Sequence, residues 1–281
     1  RFGPHYSLQT DMFLGANAAE FGTPTSSSGH KYALQNACVD CHMYATPDTG
    51  KAGRDKIGGH SFAVDADGVE NVAACQSCHG PIKSFDDIKA AYDYDRDGKV
   101  EGIQSEVKGM LARLAKAIPP PFADSLIVKS TFTQSQLRAA YNYIFVYRDG
   151  SYGVHNAKYA IGLLQKSTDI LTGVETVSYD LPETFTLTQN FPNPFNPTTV
   201  VQFGVPRESN IQIMIYDILG RKVKTLVDNT VPPGTYKATW DGRDDNGLGV
   251  ASGVYLYRIV ANSSSGRGED FVLTKKMILM K

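Results

Sequence analysis

VAACQSCHGP, residues 72–81, sets Cys75 and Cys78 three positions apart with His79 directly behind the second cysteine. NACVDCHMY, residues 36–44, repeats the arrangement at Cys38, Cys41 and His42, and these two motifs hold all four cysteines of the 281-residue chain. A C-x-x-C-H run is the attachment site of a c-type haem: each sulfur adds across a vinyl group, and the histidine ligates the iron from one face. The histidine has to follow at once, because a short loop must bring two thioethers and one imidazole to one porphyrin. A thioredoxin-type dithiol does not require that histidine and occurs once, in a βαβ context not visible here. Two CxxC pairs can close a four-cysteine zinc tetrahedron, but both pairs here carry the adjacent histidine. The expectation is two covalent haem c groups, one on Cys38, Cys41 and His42, the other on Cys75, Cys78 and His79.

Residues before Lys83 are rich in glycine and turn formers and show little periodicity, as in a chain that wraps porphyrins instead of building its own core. Beyond them, VKGMLARLAKAI puts Val107, Met110, Leu111, Leu114 and Ile118 on one helical face, and Pro119, Pro120 and Pro121 end the helix. Thr133 with Gln136 forms a capping-box start for a helix carrying Leu137, Tyr141, Ile144 and Phe145, with Gly150 as its stop. A third helix opens near Asn156 and runs through Tyr159, Leu163 and Leu164.

After about Leu181 the text changes to strands. Ile211, Ile213 and Ile215 alternate with Gln212, Met214 and Tyr216, the two-residue period of a half-buried strand. Short strands recur between Asp-Gly, Asn-Gly and Pro-Pro-Gly turns, which predicts an antiparallel β-sandwich of about seven strands, immunoglobulin-like in architecture. Trp240, the single tryptophan, is expected in its core. The fold class is therefore multidomain: a mainly α and irregular multihaem cytochrome c domain over 1–172, a linker over 173–185, and the sandwich over 186–281. A net charge of −1 gives no electrostatic case for nucleic acid, and no apolar run approaches the length of a bilayer span.

DYDRDGKVEGIQSE, residues 93–106, reads as a calcium loop. Asp93, Asp95 and Asp97 stand at positions one, three and five, Lys99 at seven, Gly98 at the sharp turn and Val100 at the apolar anchor. Gln104 stands at position twelve, where a bidentate glutamate belongs, so Glu101 or Glu106 has to supply the missing carboxylate. The alternative is a solvated acidic turn leading into a helix. The expected role of the ion is structural, pinning the start of the helix behind the haem region.

Two resemblances add to this reading. NFPNPFNPTT (190–199), IYDILGRKV (215–223), WDGRDDNG (240–247), SGVYLYRI (252–259) and the closing KKMILMK resemble the type A sorting domain of the type IX secretion system. That resemblance implies an address read by an outer-membrane translocon. GPHYS (3–7), GGHSF (58–62) and GVHNAKYAIGLLQKS (153–167), with the two CxxCH motifs, resemble the C-terminal part of multihaem cytochromes c, the group that includes the ammonia-forming nitrite reductases. In such proteins, histidines in these settings supply the second axial ligand.

With His42 and His79 taken as proximal ligands, His5, His30, His60 and His155 remain, and Met12 and Met43 are weaker candidates. Both irons are expected to be six-coordinate and low-spin, which suits electron transfer. His60 and His155 are assigned to the chain's own irons. At least one of His5 and His30 is expected to ligate a haem outside the sequence, in a preceding portion or in an adjacent subunit of an oligomer or filament. The function expected is an extracellular or cell-surface cytochrome, exported through the periplasm, that relays electrons to redox partner proteins or extracellular acceptors and is more an electron carrier than an enzyme. The alternative is the C-terminal part of a multihaem oxidoreductase that reduces nitrite or hydroxylamine at a haem elsewhere. Haem c attachment takes place outside the cytoplasmic membrane, so a sequence opening at Arg1 is expected to have lost an export signal or to be the tail of a longer chain.

Overall fold

The computed structural model describes residues 8–22, 24–119, 131–178, 182–263 and 271–281. The chain divides into two units, Arg1–Ser167 and Thr168–Lys281. His5 and the GPHYS stretch lie outside the described residues.

The first unit is built of helices and short pieces. Its order is α1 (Gln9–Leu14), α2 (His30–Ala33), α3 (Cys38–His42), a two-residue hairpin of β1 (Asp65–Ala66) and β2 (Val69–Glu70), α4 (Gln76–His79), α5 (Ile103–Ala117), α6 (Gln134–Asp149) and α7 (Ala157–Thr172), whose last turns belong to the second unit. The three long helices lie where their periodicity puts them. Val107, Leu111 and Leu114 of α5 are buried, as are Ile144 and Phe145 of α6 and Tyr159 and Leu163 of α7. Thr133 and Gln136 close the capping box at the start of α6, and the helix stops at Gly150. α1 and α5 both pack on α6.

Two buried asparagines tie the irregular N-terminal segment to these helices. Asn142 of α6 exchanges hydrogen bonds with the backbone of Ala19, accepting at 2.8 Å and donating at 2.9 Å, and also donates to Ser167 Oγ at 3.0 Å. Asn156 caps α7 by accepting from Tyr159 N at 3.2 Å and also accepts from Ser28 N at 2.7 Å. Its amide donates to Ser27 Oγ at 2.6 Å and Phe13 O at 3.3 Å. Extended chain with few apolar residues is thus held by polar anchors in place of a packed stripe.

The second unit is an antiparallel sandwich of two four-stranded sheets, β10-β9-β6-β7 and β3-β8-β5-β4. In chain order its strands are β3 (Glu175–Ser178), β4 (Thr186–Leu187), β5 (Thr199–Val205), β6 (Ser209–Asp217), β7 (Lys222–Val231), β8 (Gly234–Trp240), β9 (Gly253–Ser263) and β10 (Phe271–Leu279). Ile211, Ile213 and Ile215 are all buried and their neighbours are not, so β6 keeps the expected alternation. Trp240 is core, packed between Phe195 and Tyr255 with its Nε1 donating to Arg243 O at 2.8 Å. One expectation changes: the stretch 173–185 is not a plain linker, because β3 pairs antiparallel with β8 at its Glu175–Lys237 and Thr176–Tyr236 positions. Thr and Val in Glu-Thr-Val-Ser extend the sheet by one edge strand, which the turn-rich surroundings hid.

Candidate functional site

The first motif forms the single helical turn α3. Asn36 closes the loop before it, its N–H and side-chain amide donating to the two carboxylate oxygens of Asp40 at 3.0 and 2.9 Å. Those bonds hold the Asp40 carboxyl below its ordinary range. His42 ends the turn. The second motif runs through a 3-10 turn, Val72–Cys75, directly into α4, which ends on His79. Gln76 Nε2 donates to Ile82 O at 3.0 Å, and Val72, Ile82 and Phe85 form a small cluster against which Cys75 packs.

The four cysteines form no disulfide with one another. Burial pushes the Cys75 thiol up to about 11, with Cys41 and then Cys78 adding to the rise, so the two motifs lie near one another. Burial likewise raises Cys41, with Asp40 and Cys38 adding to the shift. Redox-active CxxC pairs show the opposite, a lowered thiol pKa. Among the described residues, the groups of three or more His, Cys, Asp or Glu side chains close enough to share a metal are acidic and contain no cysteine.

The histidines fit haem iron. His42 and His155 have ring centres 5.9 Å apart, and His30 and His79 have ring centres 6.0 Å apart. An imidazole nitrogen lies roughly 1 Å from its ring centre and about 2 Å from a bound metal, so two axial rings on one iron have centres about 6 Å apart. Three of the four rings also turn Nδ1 to a fixed acceptor. His42 Nδ1 meets Phe62 O at 2.9 Å, His30 Nδ1 meets Val154 O at 3.0 Å, and His155 Nδ1 meets Asp149 Oδ1 at 2.7 Å. Such partners orient a ligating ring and leave Nε2 for the metal.

Beside His42 stands His155, and the ring described beside His79 is that of His30, which was expected to ligate a haem outside the chain. His60 is exposed on the 3-10 turn Gly59–Ser61 and is not among the described ring contacts of either proximal histidine. The GGHSF stretch serves His42 by another route. Gly58, at φ 73°, comes so close to Tyr44 that an added Cβ would meet Tyr44 O at 2.4 Å. The tight loop this permits brings Phe62 back over His42, ring stacked at 4.7 Å and carbonyl on Nδ1. Met12 is buried in the core and Met43 is exposed. The contacts of Asp149 and Phe62 with His155 and His42 were not foreseen, and Asn156 was read only as the start of a helix. Asn156 carried a signal, an asparagine three residues before Tyr159 at a helix start. Asp149 carried none, since its partner lies across a turn.

The acidic loop folds beside α5. Asp93, Asp95 and Glu106 bring one carboxylate oxygen each within 4.8 Å of one another, as do Asp95, Asp97 and Glu101. Glu106 is fully buried, accepting from Tyr94 N at 2.7 Å, Asp95 N at 3.1 Å and Glu101 N at 2.9 Å. Asp95 lies so close to the helix that a Cβ on Gly109 would meet its Oδ2 at 1.6 Å. Burial pushes the Asp95 carboxyl up to about 6, against a backbone hydrogen bond from Asp97, with the Glu106 and Asp97 charges adding to the rise. Gln104 faces away and donates to Ser151 O at 3.0 Å. Lys99 Nζ lies 3.9 Å from Asp97 Oδ2. Val100 is exposed and not an anchor, because the loop closes through Ala90 N to Glu101 O at 3.0 Å and buries Ile103 instead.

Two neighbouring CxxCH turns, each with a second histidine ring about 6 Å from its own, are the pattern of a c-type cytochrome. The model of the cytochrome c552 family matches residues 20–197, and the chain belongs to that family. The family implies covalent haem c and electron transfer. The FlgD Ig-like domain model matches residues 195–265, within the sandwich. No curated protein matches the chain. Among solved structures it is similar to dimeric latent PorU from Porphyromonas gingivalis, at 28% identity over 33% of this chain and 9% of that one, with a TM-score of 0.29. It is also similar to PorZ, a surface component of the type IX secretion system of Porphyromonas gingivalis, at 18% identity over 40% of this chain and 13% of that one, TM-score 0.22. CopC from Methylosinus trichosporium OB3b matches at 17% identity over 34% of this chain and 93% of its own length, TM-score 0.24. The chain thus spans a small part of PorU and of PorZ.

Proposed function

We propose that the chain is a dihaem electron-transfer cytochrome of the cell exterior. Cys38, Cys41 and His42 hold one haem with His155 as distal ligand, and Cys75, Cys78 and His79 hold the other with His30. The observation that carries this is the pair of histidine separations, 5.9 and 6.0 Å, each matching two axial rings on one iron. Bound haem supplies a one-electron iron couple. The chain's part would be to offer His42 with His155 to one haem and His79 with His30 to the other, and to fix three of those rings through Phe62, Val154 and Asp149. Electrons then pass to redox partner proteins or extracellular acceptors. Mass spectrometry of denatured protein is expected to show two haem additions, and paramagnetic resonance of the oxidised protein two low-spin signals. A high-spin signal would move the reading to the alternative, part of a nitrite- or hydroxylamine-reducing enzyme, which membership of the cytochrome c552 family keeps in view.

The five motif pieces of the sandwich support a further role as the address for a type IX translocon, and with it a surface location. Among the described residues no helix is long and apolar enough to cross a membrane. His60, exposed, and His5 then remain for a haem of a neighbouring subunit or of a longer chain. The loop from Asp93 to Glu106 is read as a structural calcium site, with Asp93, Asp95, Asp97, the Lys99 carbonyl, Glu101 and Glu106 as its oxygen donors; calorimetric titration of chelator-treated protein tests it.

A further inference from the structure

The two axial pairs differ in what stands behind their distal rings, and the difference lies in one short turn. His155 Nδ1 leans on Asp149 Oδ1 at 2.7 Å, and the Asp149 side chain is only 1% exposed. His30 Nδ1 leans on the carbonyl of Val154 at 3.0 Å. One distal ring therefore faces a buried carboxylate at the end of α6 and the other a neutral peptide group of the segment joining α6 to α7. The carboxylate is held for this task. Ser151 bonds Asp149 Oδ2 through its hydroxyl and its N–H, leaving Oδ1 to the imidazole. Ser151 Oγ also accepts from His155 N at 3.1 Å, and Ser151 O accepts from Gln104 Nε2 at 3.0 Å, which ties the turn to α5.

An imidazole whose far nitrogen donates to a carboxylate is a more basic ligand than one bonded to a carbonyl. A more basic ligand, with fixed negative charge shielded from water, favours ferric over ferrous iron, and hydrogen bonding behind the axial ligand is one of the protein's levers on potential. We propose that Asp149 acts as a positioning residue that makes the Cys38/Cys41 haem the lower-potential one of the pair, building a potential step into the chain. The inference rests on the two-haem reading above. His42, the proximal ring of the same site, has its own acceptor in Phe62 O, which works in the same direction.

Redox titration of the haem-loaded full chain, followed in the visible, tests it. Two one-electron waves are expected in the unaltered protein, and His30→Met marks one of them by changing the ligation of the Cys75/Cys78 haem. Asp149→Asn keeps an acceptor oxygen but removes the charge. It is expected to shift the unmarked wave to higher potential, leave the marked wave in place, and retain two haem additions by mass with low-spin resonance signals. Ser151→Ala removes a donor from Asp149, leaves the carboxylate a stronger acceptor for His155, and is expected to shift the same wave to lower potential. Waves that stay in place in both variants, or movement of the marked wave instead, overturn the proposal. If Asp149→Asn takes up no haem, Ser151→Ala decides alone: a downward shift of the unmarked wave supports the proposal, and no shift overturns it. Absence of covalent haem, or irons that stay bis-histidine when His30 or His155 is replaced, would instead refute the two-haem reading.

Discussion

The sandwich and the haem-binding unit solve the problem of a core in opposite ways. In β6, nine residues long, every second side chain from Ile211 to Ile215 is buried, and the strand pairs on both edges with β7 and β9. Around the attachment motifs the regular pieces are far shorter, five residues in α3 and four in α4. They are held by single polar contacts such as Gln76 to Ile82 O and Asn36 to Asp40. The sandwich and the long helices of the first unit store their stability in apolar area, the attachment turns in anchors around a cofactor. A chain whose cofactor is covalent can use this second strategy, because the thioethers keep the group in place while the peptide closes over it.

The largest expected break in that contrast comes from removing an attachment. Replacing both Cys75 and Cys78 with alanine should abolish one haem addition and the cooperative unfolding of the first unit. The sandwich transition should stay at its own temperature, since it contains no cysteine or histidine. Thermal unfolding followed by haem absorbance and by near-ultraviolet circular dichroism separates the two. A sandwich transition that shifts along with the haem signal would show that the units share a core.

The reverse experiment is Trp240→Ala. Removing a side chain that is 1% exposed and packed between Phe195 and Tyr255 should cost the sandwich about 3–5 kcal/mol, the range for large-to-small changes of a buried aromatic. Denaturant unfolding should show the loss in the sandwich transition, with the haem spectrum unchanged. Asn156→Ala is expected to do less to stability and more to the site. It leaves Ser28 N and Tyr159 N without their acceptor, and losing a helix cap of this kind costs about 0.5–2 kcal/mol. Because Asn156 ties the segment leading to His30 against the start of α7, both haem spectra should change together. A change confined to one haem would mean that Asn156 caps the helix and does nothing more.

How much of this was legible in the sequence follows the same divide. The long helices and the strands were readable because periodicity reports burial directly: Thr133 and Gln136 at the start of α6, and the isoleucines of β6, stand where the pattern puts them. The two attachment turns were readable because their chemistry dictates spacing. The histidine partners of His42 and His79 were legible only in part, His155 but not His30. His30 and His60 are both histidines in glycine-rich turns, and only the fold shows that Asn156 draws residues 27–30 toward α7 while Gly58 spends its loop on Phe62. Asp149 was hidden for the same reason: a residue that acts through a side chain across a turn leaves no period and no motif. β3 escaped because four residues at a sheet edge are too few to show alternation.

The smallest expected effect distinguishes the acidic loop from an ordinary solvated turn. The folded chain holds the Asp95 carboxyl at about 6 against an ordinary value of 3.8, mainly through burial, so between those values the folded state binds more protons than the unfolded one. Stability falls with rising pH wherever that is so. Without calcium, the contribution of Asp95 is therefore fully present below about pH 4 and is lost as the pH rises through about 6. A divalent cation reverses the sign, because it binds the ionised carboxylate and displaces the proton. Calcium should stabilise the first unit more at pH 7.5 than at pH 5, and its binding at pH 6 should release protons. Thermal unfolding of chelator-treated protein at the two pH values, with and without calcium, reads the first effect; calorimetry in buffers of different ionisation enthalpy reads the second. Asp95→Asn should abolish both. Equal stabilisation at both pH values, or none, would make residues 93–106 an acidic turn whose carboxylates are satisfied by the backbone N–H groups of Tyr94, Asp95, Asp97, Gly98 and Glu101 alone.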